Sequence, residues 1–219
     1  MEILKTSIFQ IIRQRGLHTP KSVLQVGANS GQEIERFYEA GIERGIFIEP
    51  LDIPFQTLSV RCQGKPGFIP VQALALAEDN RPTTFHVASN NGESSSILKP
   101  SRHLEWYPDV SFEKPIELLG QKVDTLTQIC KHRFKSLPEF YDLFFIDVQG
   151  AELDVMKGAI NQLQNGKYVF SEVGDGGGYE GDVHLTDLMI FLRLFDYKPI
   201  ALEINNDSGY GNALWHKTK

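Results

Sequence analysis

Residues 23–31 read Val-Leu-Gln-Val-Gly-Ala-Asn-Ser-Gly, and residues 45–50 read Gly-Ile-Phe-Ile-Glu-Pro. The first stretch is a short apolar strand over 23–26 that runs into a turn bracketed by Gly27 and Gly31. A helix is expected to open at Gln32 and close near Ala40, where Gly41 ends it. The second stretch is an apolar strand ending on a carboxylate, Glu49, just over twenty residues beyond Gly27. Strand, glycine turn, helix, strand and acid, in that order, are the pattern of a nucleoside-binding α/β sheet. The glycines let the backbone approach a ligand, and the acid receives the two ribose hydroxyls.

The residues around the turn narrow the choice of nucleoside. A dinucleotide needs bare backbone amides for its pyrophosphate, and so a glycine in the middle of the turn; Asn29 stands there instead. The expected helix opens Gln-Glu-Ile-Glu from Gln32, with two carboxylates in its first turn, which suit the helix dipole and repel phosphate. No Lys follows Gly31 as in a P-loop. S-adenosylmethionine carries an adenosine and a sulfonium cation but no phosphate, so it suits an acidic pocket.

At 219 residues and 41% hydrophobic, the chain has the size and composition of one compact domain. Such a chain buries roughly 70% of its unfolded surface and needs no staples. A net charge of −6, with no stripe of Lys or Arg and with Arg13 and Arg15 too few to make a footprint, argues against nucleic acid as a partner. Cys62 and Cys130 lie far apart and lack zinc spacing, which points to a reduced, cytoplasmic chain. The first ten residues mix charges among their apolar positions and do not read as a signal peptide, and no run approaches the length of a membrane span. Nothing in the sequence sets an oligomeric state.

Leu4, Ile8, Ile11 and Ile12 recur at helical spacing, giving an N-terminal helix and lead-in over 1–21. Residues 22–219 then read as one domain. Its expected elements are a short helix over 55–61, a third buried strand over 68–76 and an added strand over 83–88. A helix over 124–133 and a strand over 142–147 follow. Leu153, Met156, Ile160 and Leu163 mark a single amphipathic helix, and a strand over 167–172 comes next. A helix carrying Leu185, Leu188, Leu192 and Phe195 precedes two closing strands over 198–204 and 212–216, antiparallel neighbours because so few residues separate them. Residues 89–111 interrupt this alternation. They are rich in Ser, Asn, Gly and Pro yet carry His103, Trp106 and Tyr107, and they read as an inserted flap over an acceptor site. The predicted fold is α/β and Rossmann-like: a mostly parallel seven-stranded sheet with a C-terminal antiparallel hairpin and helices on both faces.

Ligands of such sheets sit beyond the C-terminal strand ends, where Glu49, Asp147 and Glu172 all fall. Over roughly residues 22–216 the chain also resembles a known family, the FkbM-type methyltransferases, which are class I S-adenosylmethionine-dependent enzymes. The matching segments are Val-Gly-Ala-Asn-Ser-Gly at 26–31, Phe-Ile-Glu-Pro at 47–50 and Val-Asp-Thr-Leu at 123–126. The most specific is Phe-Ile-Asp-Val-Gln-Gly-Ala-Glu-Leu-Asp-Val-Met-Lys-Gly-Ala at 145–159. The resemblance implies O-methylation of a sugar, glycan or secondary metabolite. It implies that Gly27, Ala28, Asn29 and Gly31 wrap the methionine half of the cofactor and that Glu49 binds the ribose. Pro50, Leu51, Leu74 and Ala75 would then flank the adenine, and Asp147 would face the transfer cavity. Gln25 and Gln149 depart from the family pattern, which places acids at both positions.

An alcohol that accepts a methyl group must lose its proton, so a base within hydrogen-bond reach is expected. Asp147 and Glu172 are the candidates. They could alternatively hold a divalent ion, with Asp175 as a third acid. His184 is the next candidate, after the glycine-rich stretch 175–181, which reads as a mobile rim around Tyr179; His103 and His86 are weaker ones. Two other functions compete with methyl transfer: a nicotinamide dehydrogenase, disfavoured by Asn29 and Glu33, and a catalytically inactive cofactor-binding or scaffold module, suggested by Gln25 and Gln149.

Overall fold

The computed structural model describes residues 3–205 and 208–218, with side chains described from residue 8 onward. In chain order its elements begin α1 (Ile3–Gln14), β1 (Ser22–Val26), α2 (Ile34–Glu39), β2 (Arg44–Glu49), α3 (Asp52–Cys62) and β3 (Phe68–Gln72). Next come β4 (Leu74–Leu76), β5 (Arg81–Phe85), α4 (His103–Trp106), β6 (Ile116–Lys122), α5 (Val123–Arg133) and β7 (Leu143–Ile146). The chain closes with α6 (Glu152–Lys157), α7 (Ile160–Asn165), β8 (Tyr168–Gly174), α8 (Leu185–Arg193), β9 (Tyr197–Ile204) and β10 (Tyr210–Lys217).

The main sheet has seven strands in the order β3-β2-β1-β7-β8-β10-β9. The first five are parallel, and β10 runs antiparallel to both β8 and β9. This is the predicted Rossmann-like sheet with its closing hairpin; Asn206 and Asp207 in the hairpin loop lie outside the described residues. The central strands β1 and β7 are buried along their whole length, so both of their faces must be covered. Successive side chains alternate accordingly. Leu24, Ile46, Ile48, Phe144 and Ile146 face α5–α8 through Leu126, Val155, Leu163 and Leu188. Val23, Phe47, Leu143 and Phe145 face α1–α3 through Ile8, Ile12, Phe37 and Leu58. On that second face Phe145 stacks on Phe170, ring centroids 4.4 Å apart, and meets Phe37 edge-to-face with centroids 5.6 Å apart. The strand order reverses between β1 and β7, leaving a crevice at their C-terminal ends, where Asp147 follows β7.

Four local expectations are corrected. The strand expected over 68–76 is two strands. Once Ala73 N–H has bonded to Glu49 O (3.3 Å), the chain leaves the main sheet, and β4 joins a separate three-stranded sheet of order β4-β6-β5. Pro70 sits comfortably in β3 because β3 is an edge strand. Strand β6 was not expected at all: its outward positions are exposed, so it lacks a continuous apolar run. The single helix expected through Leu163 breaks into α6 and α7 around Gly158. A Cβ at Gly158 would lie 1.9 Å from Leu76 O, so the chain packs there backbone against backbone. Finally, α2 starts at Ile34, later than expected, and only Glu35 is acidic in its first turn. Among the described residues no helix is long and apolar enough to cross a membrane, and Cys62 and Cys130 are both unpaired and buried.

Candidate active site

The turn after β1 is built around Glu49. The amides of Gly27 and Ala28 both donate to Ile48 O, at 3.1 and 3.0 Å, which folds the turn over the end of β2. Asn29, in the left-handed region at φ 43°, then donates its N–H to Glu49 Oε2 at 2.9 Å, while Leu51 N–H donates to Oε1 at 2.9 Å. The carboxylate is therefore aimed by backbone alone. It is only 4% exposed, and burial pushes its pKa from 4.5 up to about 7, the two amide bonds pulling the other way. Each oxygen keeps a second lone pair for a further donor.

Glu49 lines a cleft of about 570 Å³, counting its open mouth, together with Gly27, Asn29, Pro50, Leu74 and Ala75. Phe85, Ile97 and Val155 supply apolar walls that were not expected from sequence, since they come from the second sheet, the inserted segment and α6. Three expected residues are near the cleft without lining it. Ala28 is fully buried, Gly31 makes room for Leu58 and Ile34, and Leu51 packs with Leu76 and Phe85. The steric demand at Gly27 also has a source that the sequence does not show. A Cβ there would sit 1.8 Å from Asp147 O, so this glycine lets the ends of β1 and β7 approach each other.

A larger bay of about 1470 Å³, again counting open space, adjoins the cleft and shares Gly27, Asn29, Glu93, Asp147 and Gln149 with it. Asp147 and Glu172 lie in the bay, bridged by Gln149: its Nε2 donates to Asp147 Oδ1 at 3.0 Å and to Glu172 Oε2 at 3.2 Å. Gln149 is in the left-handed region at φ 56°, and Ser96 Oγ donates to its carbonyl at 2.9 Å. The Tyr179 hydroxyl donates to Ser94 O at 2.7 Å and lies 3.3 Å from Gln149 Oε1. Behind this loop Glu152, a residue that sequence reading passed over, is buried and accepts from the amides of Val148 and Gly150, each at 3.2 Å. Burial first, and then the nearby Asp147 charge, raise the Glu152 pKa. Helix α6 is capped at Ala151, so Asp147 is not its N-cap.

Residues 89–111 roof the bay with Asn90, Glu93, Ser94, His103, Trp106 and Tyr107. His103 is buried, its Nε2 2.9 Å from Ser94 Oγ, and burial lowers its pKa. Trp106 and Tyr210, both lining the bay, meet edge-on with ring centroids 5.5 Å apart. The glycine-rich stretch 175–181 is held by Asp182, whose carboxylate accepts from the amides of Gly177, Gly178 and Tyr179 at 2.8, 3.0 and 3.2 Å. His184 heads α8 beside Gly176 and lines neither cavity; His86 forms a bridge with Ser96. Among the described residues no three His, Cys, Asp or Glu side chains group to hold a metal, and Asp175 does not join Asp147 and Glu172.

This arrangement fits S-adenosylmethionine. The cleft offers a backbone-oriented carboxylate to ribose hydroxyls and apolar walls to a base. Where cleft and bay meet, the acids Glu93 and Asp147 suit a sulfonium and offer nothing to a phosphate.

Comparisons with known proteins agree. A structure from Streptococcus agalactiae, described as a protein in the NADB-Rossmann superfamily, superposes with a TM-score of 0.50 at 13% identity, covering 96% of this chain and 69% of that one; the likeness shows the fold. The chain is 27% identical over 183 residues to the 2-O-methyltransferase NoeI of Sinorhizobium fredii, covering 80% of this chain and 72% of that protein. Residues 25–199 match the family model of the methyltransferase FkbM domain. The chain thus belongs to the FkbM methyltransferase family, and S-adenosylmethionine is its cofactor.

Proposed function

We propose that the protein transfers the methyl group of S-adenosylmethionine to a hydroxyl oxygen of a sugar, glycan or secondary metabolite. The observation that carries this reading is the pair Asp147 and Glu172, joined through Gln149 beside the junction of cleft and bay. When bound, the cofactor supplies an electrophilic methyl carbon on a sulfonium leaving group. Glu49 would receive the ribose hydroxyls, and Pro50, Leu74 and Ala75 would flank the base. Asp147 would accept the proton of the acceptor hydroxyl as that oxygen takes the methyl group. Glu172 is tied to the same amide and so held beside Asp147. The reaction needs alignment more than activation, and a roofed bay supplies it.

The lining of the bay supports a polyhydroxylated acceptor. Trp106, Tyr107 and Tyr210 bring aromatic side chains for the C–H surface of a sugar ring, and Gln32, Asn90, Glu93 and Glu172 bring partners for its hydroxyls. The relative named a 2-O-methyltransferase is consistent with an oxygen acceptor. The test is incubation with deuteromethyl-labelled cofactor and a panel of mono- and oligosaccharides and hydroxylated metabolites, with products resolved by mass spectrometry and NMR. A labelled methyl ether supports the reading. Label on nitrogen or carbon, or tight cofactor binding without turnover across the panel, contradicts it, the latter favouring an inactive binding module.

A further inference from the structure

Gln25 is 1% exposed in the middle of β1, among Phe47 and Phe145 in register on either side, an unusual place for an amide. Its Nε2 donates to Glu33 Oε2 at 3.1 Å, and its Oε1 is buried with no hydrogen-bond partner. A buried amide with one half unsatisfied is costly, so the half that is used defines its task. That task is to hold the Glu33 carboxylate. Glu33 follows Gly31 by two residues and lines the wall of the larger bay beside Gly27 and Asn29, the residues that also line the cofactor cleft. Arg36 lines the same wall one helical turn on, so this wall presents both signs of charge.

With Glu49 at the ribose and the sulfonium where cleft and bay meet, beside Glu93 and Asp147, the amino-acid end of the cofactor is the remaining charged part, a zwitterion with an ammonium and a carboxylate. The α2 wall matches it in sign. We propose that Glu33, oriented by the Gln25 amide, binds the α-ammonium of the cofactor's amino-acid end. The assignment rests on S-adenosylmethionine as cofactor. It makes Glu33 a binding residue and Gln25 the positioning residue behind it.

The test is calorimetric binding of two neutral thioethers, S-adenosylhomocysteine and 5′-methylthioadenosine. They share the adenosine, and only the first has the amino-acid end. For Glu33→Gln, which keeps shape and hydrogen bonding but removes the charge, affinity for S-adenosylhomocysteine should fall about tenfold or more. Affinity for 5′-methylthioadenosine should stay within about twofold, on the same reasoning. Gln25→Leu, monitored by thermal unfolding to confirm a folded protein, should give a smaller loss confined to the same ligand. Equal effects on both ligands, or none on either, would overturn the assignment. Failure of the wild-type protein to bind either thioether would instead overturn the cofactor reading, and this assignment with it.

Discussion

The Gln149 amide nitrogen lies 3.0 Å from Asp147 Oδ1 and 3.2 Å from Glu172 Oε2, so one neutral side chain holds two carboxylates side by side. Two acids this close repel unless something of opposite polarity stands between them, and an NH₂ group supplies two donors for that purpose. Replacing it with an acid removes the donors and adds a third negative charge. Gln149→Glu should therefore leave the fold intact, because the left-handed backbone is unchanged, and lower turnover, because the two acids lose the donors that hold them. Measuring turnover for Gln149→Glu decides the matter; a rate equal to the wild type would mean that the amide does not hold these acids in their working positions. Because the amide already occupies the space between the carboxylates, wild-type turnover should also survive treatment with a chelator, and loss restored by magnesium would show that a cation bridges them instead.

Glu49 gives a second expectation. In the free protein its proton is held to about pH 7 against an ordinary 4.5, chiefly through burial. The folded state then binds more protons than the unfolded chain between those two values, so this group makes stability fall as pH rises through that window and level off above it. Ribose hydroxyls donate to the carboxylate and favour its charged form. Cofactor binding near and below pH 7 should release a proton, and affinity should weaken by up to about tenfold per unit as pH falls. Calorimetry in buffers of different ionisation enthalpy measures that release directly. No proton release, with affinity flat between about pH 5.5 and 8, would place the ribose elsewhere.

Glu152 is a structural counterpart. Its carboxylate accepts from the Val148 and Gly150 amides and fixes the loop that carries Asp147 and Gln149. Glu152→Ala strands both donors in a buried site and should cost about 2–4 kcal/mol of stability. Glu152→Gln retains an acceptor oxygen and should cost clearly less. Denaturant midpoints compare the three proteins; an alanine variant as stable as wild type would show that solvent or a neighbour replaces the carboxylate.

Much of this architecture is legible in the sequence because it rests on local signals. The strands over 23–26 and 142–147 are short apolar runs that end on glycine or an acid, and burial on both sheet faces demands such runs. The place of Glu49 was legible for the same reason: a carboxylate closing an apolar strand falls at the C-terminal rim of the sheet, where it lines the cleft. What escaped depends on partners distant in the chain. Strand β6 is stabilised by pairing with β4 and β5, and its own residues are too polar to announce it. The break at Gly158 answers to Leu76 O, some eighty residues earlier. At Gly27 the need for glycine was legible, but not the reason, because its neighbour is the carbonyl of Asp147. Glu152 reads from sequence as an ordinary helix-opening acid, and only burial reveals its service to the loop.

The most direct measurement is formation of S-adenosylhomocysteine by wild type and Asp147→Asn at saturating cofactor and acceptor, alongside cofactor affinity for both proteins. If Asp147 takes the acceptor's proton, the variant should bind cofactor within a few-fold of wild type and turn over roughly a hundredfold more slowly or worse. Glu172→Gln should show a milder loss, and the double variant less than the product of the two, since both residues serve one proton. An Asp147→Asn protein that folds, binds cofactor and turns over at the wild-type rate would contradict this mechanism and move the search for the base to His103 and the roof of the bay.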